Sequence, residues 1–85
     1  MISSAQARGA RALLGWTQDE VTAKAGVTHR TLSLFESGLR SPHQRTLMKI
    51  KTAFEEGGVV FVDGPLGVGV LLASEATELR NTPVT

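Results

Sequence analysis

The sequence predicts a mainly α-helical fold of four to five helices with a short C-terminal β-hairpin or strand pair. Over residues 1–56, apolar residues recur three and four positions apart between capping residues and glycines, which is the spacing of amphipathic helices. From residue 59 the pattern changes to two runs rich in β-forming residues, VVFV at 59–62 and VGVLLA at 68–73. This change divides the chain into a helical unit over 1–56 and a C-terminal extension with a tail over 57–85.

The first helix is expected to begin after Ser3 or Ser4, because either side chain is a suitable N-cap. Gly15 is expected to end it, since glycine readily adopts the left-handed conformation that closes helices. The apolar positions between these residues have the spacing of one buried stripe. They are Ala7, Ala10, Leu13 and Leu14.

The second and third helices are predicted to follow in close succession. Thr17 and Glu20 form the pattern of a capping box, and Gly26 ends the second helix eight residues after Gln18. Thr28 caps the third helix. The buried stripe of this helix and the glycine that ends it are Leu32, Phe35 and Gly38.

The fourth helix is expected from about residue 43 to 56, with a buried stripe of Leu47, Ile50 and Phe54. A turn at 63–67 separates the two β-forming runs, and residues 74–80 could form a further helical turn. The glycines at 64–69 lack the following helix and lysine of a phosphate-binding loop, so they indicate a turn instead.

The composition excludes several classes of protein. The 85 residues suit one domain with a modest core, and the absence of cysteine excludes disulfides and thiolate metal sites. No apolar run reaches the roughly 18 residues of a membrane span, and no signal peptide is apparent. We therefore expect a cytoplasmic protein with no cofactor, no metal, no membrane partner, no evident small-molecule ligand and no enzymatic activity.

The net charge of +1 conceals an uneven distribution of charges along the chain. Residues 1–52 carry eight Lys or Arg against three acids, whereas residues 53–85 carry one Arg against five acids. A basic first part suggests a polyanionic partner. A chance distribution of solvated surface charges explains the same division.

The second and third helices have the spacing of a helix-turn-helix, because the turn at Gly26 is too short to let them lie far apart. Five residues are then expected to face the core: Val21, Ala25, Val27, Leu32 and Phe35. The outward face of the third helix would consist of Thr28, His29, Arg30, Ser33 and Leu34. A helix that is polar at its first turn and held away from its own core fits the major groove of double-stranded DNA.

Three residues of this outward face have side chains suited to base contacts, namely His29, Arg30 and Leu34. Arg30 can bind guanine O6 and N7 with two hydrogen bonds, and His29 can donate to a guanine or adenine N7. Leu34 could contact a thymine methyl group, although core packing or a partner contact would equally account for an apolar residue there.

Residues 12–42, ALLGWTQDEVTAKAGVTHRTLSLFESGLRSP, resemble the helix-turn-helix core of the lambdoid phage repressor and Cro proteins, the XRE-like regulators. The resemblance extends over residues 4–56 and includes the Gly-x-Thr-Gln start of the second helix. It implies a repressor-like helix-turn-helix bundle. It also implies that the chain is a transcriptional repressor that binds a DNA operator.

The resemblance implies further roles for individual residues, and it assigns base reading to His29, Arg30, Ser33 and Leu34. The predicted phosphate contacts are Thr17, Gln18, Thr28, Arg40, His43, Gln44 and Arg45. Arg11 and Glu36 match an internal ion pair between the first and third helices. Thr22 stands where the family usually has alanine, and its hydroxyl can bond to a carbonyl one turn back.

An exposed hairpin with two apolar faces would aggregate, so we expect a second copy of the chain to cover it. The predicted dimer interface contains Val60, Phe61, Val62, Val70 and Leu72. A twofold dimer would place two reading helices about 34 Å apart on a palindromic operator. Alternatively, the hairpin simply covers the base of the first and fourth helices. An alternative function is a protein-interaction module or antitoxin that uses the same fold.

Overall fold

The structure is a computed structural model that describes residues 1–73. Within these residues the chain forms four helices followed by a two-stranded antiparallel sheet. The elements are α1 (Ser4–Leu14), α2 (Gln18–Ala25), α3 (His29–Glu36), α4 (Gln44–Glu56), β1 (Val59–Gly64) and β2 (Gly67–Leu72). The predicted mainly α-helical fold with a hairpin is confirmed. The helical turn suggested for 74–80 lies outside the described residues.

The starts of the first three helices are fixed by local hydrogen bonds. Ser3, Thr17 and Thr28 are the N-caps, and each hydroxyl accepts the N–H of the residue three positions further on. Gly15 and Gly26 end α1 and α2 with φ angles of 68° and 71°, the left-handed region that glycine adopts freely. These five predicted boundaries are therefore confirmed, and each depends on residues within one turn.

Within residues 1–73, the largest fully buried side chains of the core are Val21, Leu32, Ile50 and Phe54. The Trp16 ring stacks on that of Phe54 with centroids 6.1 Å apart, and the Phe61 ring meets Phe54 edge-on at 6.2 Å. Phe54 thus contacts both the chain entering α2 and the hairpin. The helices and the hairpin share one core.

One residue of the stripe predicted for α1 is placed differently. Leu13 is 42% exposed, whereas Ala7 and Ala10 are buried and Leu14 packs against the core. At about 100° per residue, Leu13 lies about 60° from Ala10 on the side away from Ala7 and Leu14. Gln6 is buried on that side instead. The assignment of Leu13 to the stripe is wrong because the hairpin covers this side of α1 only near Gln6 and Gly9, and Leu13 lies beyond it towards the end of the helix.

The hairpin is held against α1 by Gln6. The Gln6 Nε2 donates to the carbonyl oxygens of Val62 and Gly69 at 3.2 and 3.0 Å, which are opposite each other in the sheet. Phe61 and Val70 also form a directly opposed pair, and both pack against the core. The strands extend further into the turn than predicted, so that only residues 65 and 66 connect them.

Candidate DNA-binding surface

The packing of α2 against α3 leaves one side of α3 towards solvent. Val21, Ala25, Leu32 and Phe35 are buried, and Val27 packs against the core, so all five residues predicted to face inward do so. On the outward side, residues 28–30 are exposed, while residues 33 and 34 are half-buried. The first turn of α3 is therefore its most accessible part.

A hydrogen-bonded cluster around Glu36 fixes α3 relative to α1 and α2. Glu36 is 4% exposed, and its carboxylate accepts from Arg11 Nε at 2.9 Å and Arg11 Nη2 at 3.0 Å. Gln18 Nε2 donates to the same carboxylate at 3.0 Å, and Arg8 donates to the backbone oxygen of Glu36. The predicted Arg11–Glu36 ion pair is confirmed, with Gln18 as a third member that sequence reasoning missed.

Three residues predicted to bind phosphate are already engaged within the chain. Gln18 Nε2 carries two hydrogens and gives one to Glu36, so one remains for a ligand. The Thr17 hydroxyl accepts the N–H of Glu20 at 3.1 Å and lies 3.2 Å from its carboxylate. Thr28 is exposed, but it also bonds to the Thr31 hydroxyl at 2.8 Å.

A concave surface of about 320 Å³ lies between α3 and the loop that leads into α4. It brings together two predicted base-reading residues, Arg30 and Leu34, and two predicted phosphate contacts, Arg40 and His43. The remaining lining residues are Thr31, Ser41, Pro42 and Thr46. Leu34 and Pro42 supply apolar surface, and the three basic side chains stand around it.

A second concave surface lies between α2 and α4. Arg45, predicted as a phosphate contact, shares it with Lys24 and Lys49, which sequence reasoning did not select. Lys24 also lies over the Trp16 ring, with its Nζ 4.9 Å from the ring centroid. The surplus of basic residues over 1–52 was the only signal in the sequence for these two lysines. It did not indicate which of the basic residues lie on this surface. Gln44 is exposed at the start of α4.

Two further contacts involve Asp19. One is with Thr22, where the resembled family usually has alanine, and the other is with the first residue of α3. The Thr22 hydroxyl donates to the backbone oxygen of Asp19 at 2.8 Å, which confirms the predicted bond one turn back. The Asp19 carboxylate lies 3.0 Å from the Nδ1 of His29. No motif or spacing in the sequence indicated this second contact.

Residues 1–73 contain no cluster of three or more His, Cys, Asp or Glu that could hold a metal ion. In the same part of the chain, no helix has the length and apolar character needed to cross a membrane.

Comparison with known families agrees with this geometry. The helix-turn-helix family model of the XRE type matches residues 8–56, which contain α2, α3 and α4 and most of α1. The chain therefore belongs to the XRE family of helix-turn-helix transcription regulators, a family of DNA-binding proteins. A search of curated proteins finds no match to the chain.

Proposed function

We propose that the chain is a sequence-specific transcriptional repressor that inserts α3 into the major groove of an operator as a homodimer. The observation that carries this proposal is the exposed first turn of α3. His29 and Arg30 are exposed there, and the Glu36 cluster fixes the helix from behind. In helix-turn-helix complexes the N-terminal residues of the second helix meet the base edges.

Arg30 is proposed as the main base-reading residue because its guanidinium can bind guanine O6 and N7 together. His29, Ser33 and Leu34 complete the reading face. Ser33 and Leu34 are half-buried, so only part of each side chain reaches the groove. Their contribution is therefore expected to be smaller than that of Arg30.

The DNA backbone would be bound by groups on both sides of α3. On one side are Thr17, Gln18 and Thr28, and on the other are Arg40, His43, Gln44 and Arg45. Neutralisation of phosphates supplies most sequence-independent affinity. Arg40 and His43 share a concave surface with Arg30, so a backbone bound there would lie beside the base-reading residue.

The proposed dimer interface is the outward side of the hairpin. Val60 and Leu71 are directly opposed in the sheet and are 44% and 57% exposed, and Val62 is 39% exposed. Leu72, also predicted at the interface, is 41% exposed but pairs with the buried Val59, so it lies on the other face of the sheet, at its edge. The predicted interface residues Phe61 and Val70 pack against the core, so they would support the interface from beneath rather than form its surface.

The experiment that tests the proposal is selection from a randomised duplex library at two salt concentrations. We expect an enriched palindrome and an affinity that falls steeply with salt, as backbone neutralisation requires. Failure to enrich any sequence at low salt would contradict the proposal. That outcome would favour the alternative of a protein-interaction module or antitoxin.

A further inference from the structure

Asp19, on the first turn of α2, contacts His29, the first residue of α3. The Asp19 Oδ1 lies 3.0 Å from the His29 Nδ1. The two side chains are 87% and 57% exposed, and an exposed pair of this kind contributes little to folding stability. Its effect on the imidazole ring is therefore of more interest than its effect on stability.

The contact determines which nitrogen of the ring carries hydrogen. An ionised carboxylate only accepts hydrogen bonds, so the Nδ1 that faces Asp19 carries a proton. In the neutral ring the other nitrogen, Nε2, then has a free lone pair and acts as an acceptor. Asp19 thus sets the hydrogen-bonding character of Nε2 from the opposite side of the ring.

The other side chains around this pair are engaged elsewhere. Asp19 and His29 share a shallow notch with Arg11, Thr17 and Gln18. Arg11 and Gln18 donate to Glu36, and the Thr17 hydroxyl bonds to Glu20. Among residues 1–73, the Nδ1 contact with Asp19 is the only hydrogen bond of the His29 ring, so Nε2 is available to a ligand.

We propose that Asp19 is a positioning residue that makes neutral His29 read an exocyclic amino group in the major groove. The inference rests on the proposed insertion of α3 into that groove. Adenine N6 and cytosine N4 donate there, whereas guanine presents only the acceptors N7 and O6. With Asp19 in place, Nε2 accepts from an adenine or cytosine amino group. Without it, a ring protonated on Nε2 donates to guanine.

The first test measures the ring itself, without DNA. The ¹⁵N resonances of the imidazoles are recorded on the full chain at pH 8, above the range in which histidines ordinarily titrate. A His29→Gln variant assigns the His29 signals against those of His43. We expect the native ring to be protonated on Nδ1 and the Asp19→Ala ring to shift towards protonation on Nε2. A native ring protonated on Nε2 would overturn the inference.

The second test measures base preference at pH 8 on the sequence selected from the duplex library. His29→Ala identifies the base pair that His29 reads, and four duplexes that differ only at that pair are then compared. The native chain should prefer adenine or cytosine over guanine by roughly fivefold, the effect of one ordinary hydrogen bond. Asp19→Ala should abolish or reverse that preference.

Two controls separate base preference from charge. Asp63→Ala removes the same charge from an exposed position on β1 and should leave all ratios between the duplexes unchanged. In the His29→Ala background, Asp19→Ala should likewise change no ratio, because the interaction between the two residues is already lost.

The outcomes distinguish this inference from the proposed function. An equal change of affinity on all four duplexes in Asp19→Ala would overturn the inference alone, since Asp19 would then act only through its charge. If the native chain selects no sequence at all, the proposed function fails and the inference fails with it.

Discussion

The third helix and the C-terminal hairpin each place one face on the shared core and the other in solvent, but their solvent faces differ in chemistry. On α3, residues 28–30 make the exposed face polar and basic. On the hairpin, Val60 and Leu71 make it apolar. A basic face is suited to a polyanion, whereas an apolar face gains free energy when it is removed from water. The comparison teaches that one small core can present two surfaces suited to different partners.

The largest expected effect comes from the ion pair that fixes α3. Arg11→Met leaves the buried Glu36 carboxylate without its cation and should lower the free energy of unfolding by about 3 kcal/mol. Denaturant unfolding measures this change. Lys51→Met is the matched control, because its partner Glu55 is exposed, unlike Glu36, and the two charged atoms are 3.8 Å apart. The control should cost less than about 1 kcal/mol, and equal losses in both variants would contradict the role given to Glu36.

A substitution at the junction between α4 and the hairpin should lower the free energy of unfolding by nearly as much. A Cβ at Gly57 would lie 2.7 Å from the Trp16 Cη2 and 3.1 Å from the Leu14 Cδ1. The Trp16 ring has little freedom to move because it stacks on Phe54. Gly57→Ala should therefore lower the free energy of unfolding by about 1–3 kcal/mol, measured by thermal or denaturant unfolding.

The control for this junction is Gly69→Ala. Gly69 lies within β2, and an added Cβ there meets no atom within 4 Å. We expect a change of less than about 1 kcal/mol, with the sign set by backbone entropy. A larger loss at Gly69 than at Gly57 would show that the contact with Trp16 does not limit this position.

The two basic residues Arg30 and Arg45 should separate base reading from backbone binding. Arg30→Ala should cost about 1–3 kcal/mol of affinity for the selected operator and relax one base position. Arg45→Ala should weaken binding to all sequences alike. It should also make the slope of log affinity against log salt concentration shallower by about 1. Binding titrations at several salt concentrations measure both effects. A loss of base preference in Arg45→Ala with none in Arg30→Ala would reverse the two roles.

Substitutions on the outward side of the hairpin should weaken self-association and change the free energy of unfolding only slightly. A Val60→Lys, Leu71→Lys double variant should weaken dimerisation by roughly tenfold or more, because each protomer would bury two charges in an apolar interface. Sedimentation measures the dimer, and unfolding experiments check the fold. Leu13→Lys is the control, since Leu13 is comparably exposed but lies on α1. Unchanged dimerisation in the double variant would move the proposed interface away from the hairpin.

The features predicted most accurately from the sequence are local. The caps at Ser3, Thr17 and Thr28 and the left-handed glycines at 15 and 26 each depend on a few neighbouring residues, so the sequence contains the whole cause. The Arg11–Glu36 pair was predicted by family resemblance, because no local rule connects residues 25 positions apart.

The features that sequence reasoning missed are contacts between elements. Gln6 is buried because the hairpin offers two carbonyl oxygens to its amide, and this required the position of both strands. The contact between Asp19 and His29 exists because α2 and α3 begin close together. The outward exposure of Leu13 likewise depended on how α1 meets its neighbours.

By itself, the sequence determined where the helices begin and end and which apolar residues could form a core, because hydrogen bonds within one turn and helical periodicity decide these features. The tertiary structure decided which side of each element reached solvent. That choice depends on how several elements compete for the same core. The polar face of α3 and the apolar face of the hairpin both result from it, and these are the two surfaces on which the proposed function depends.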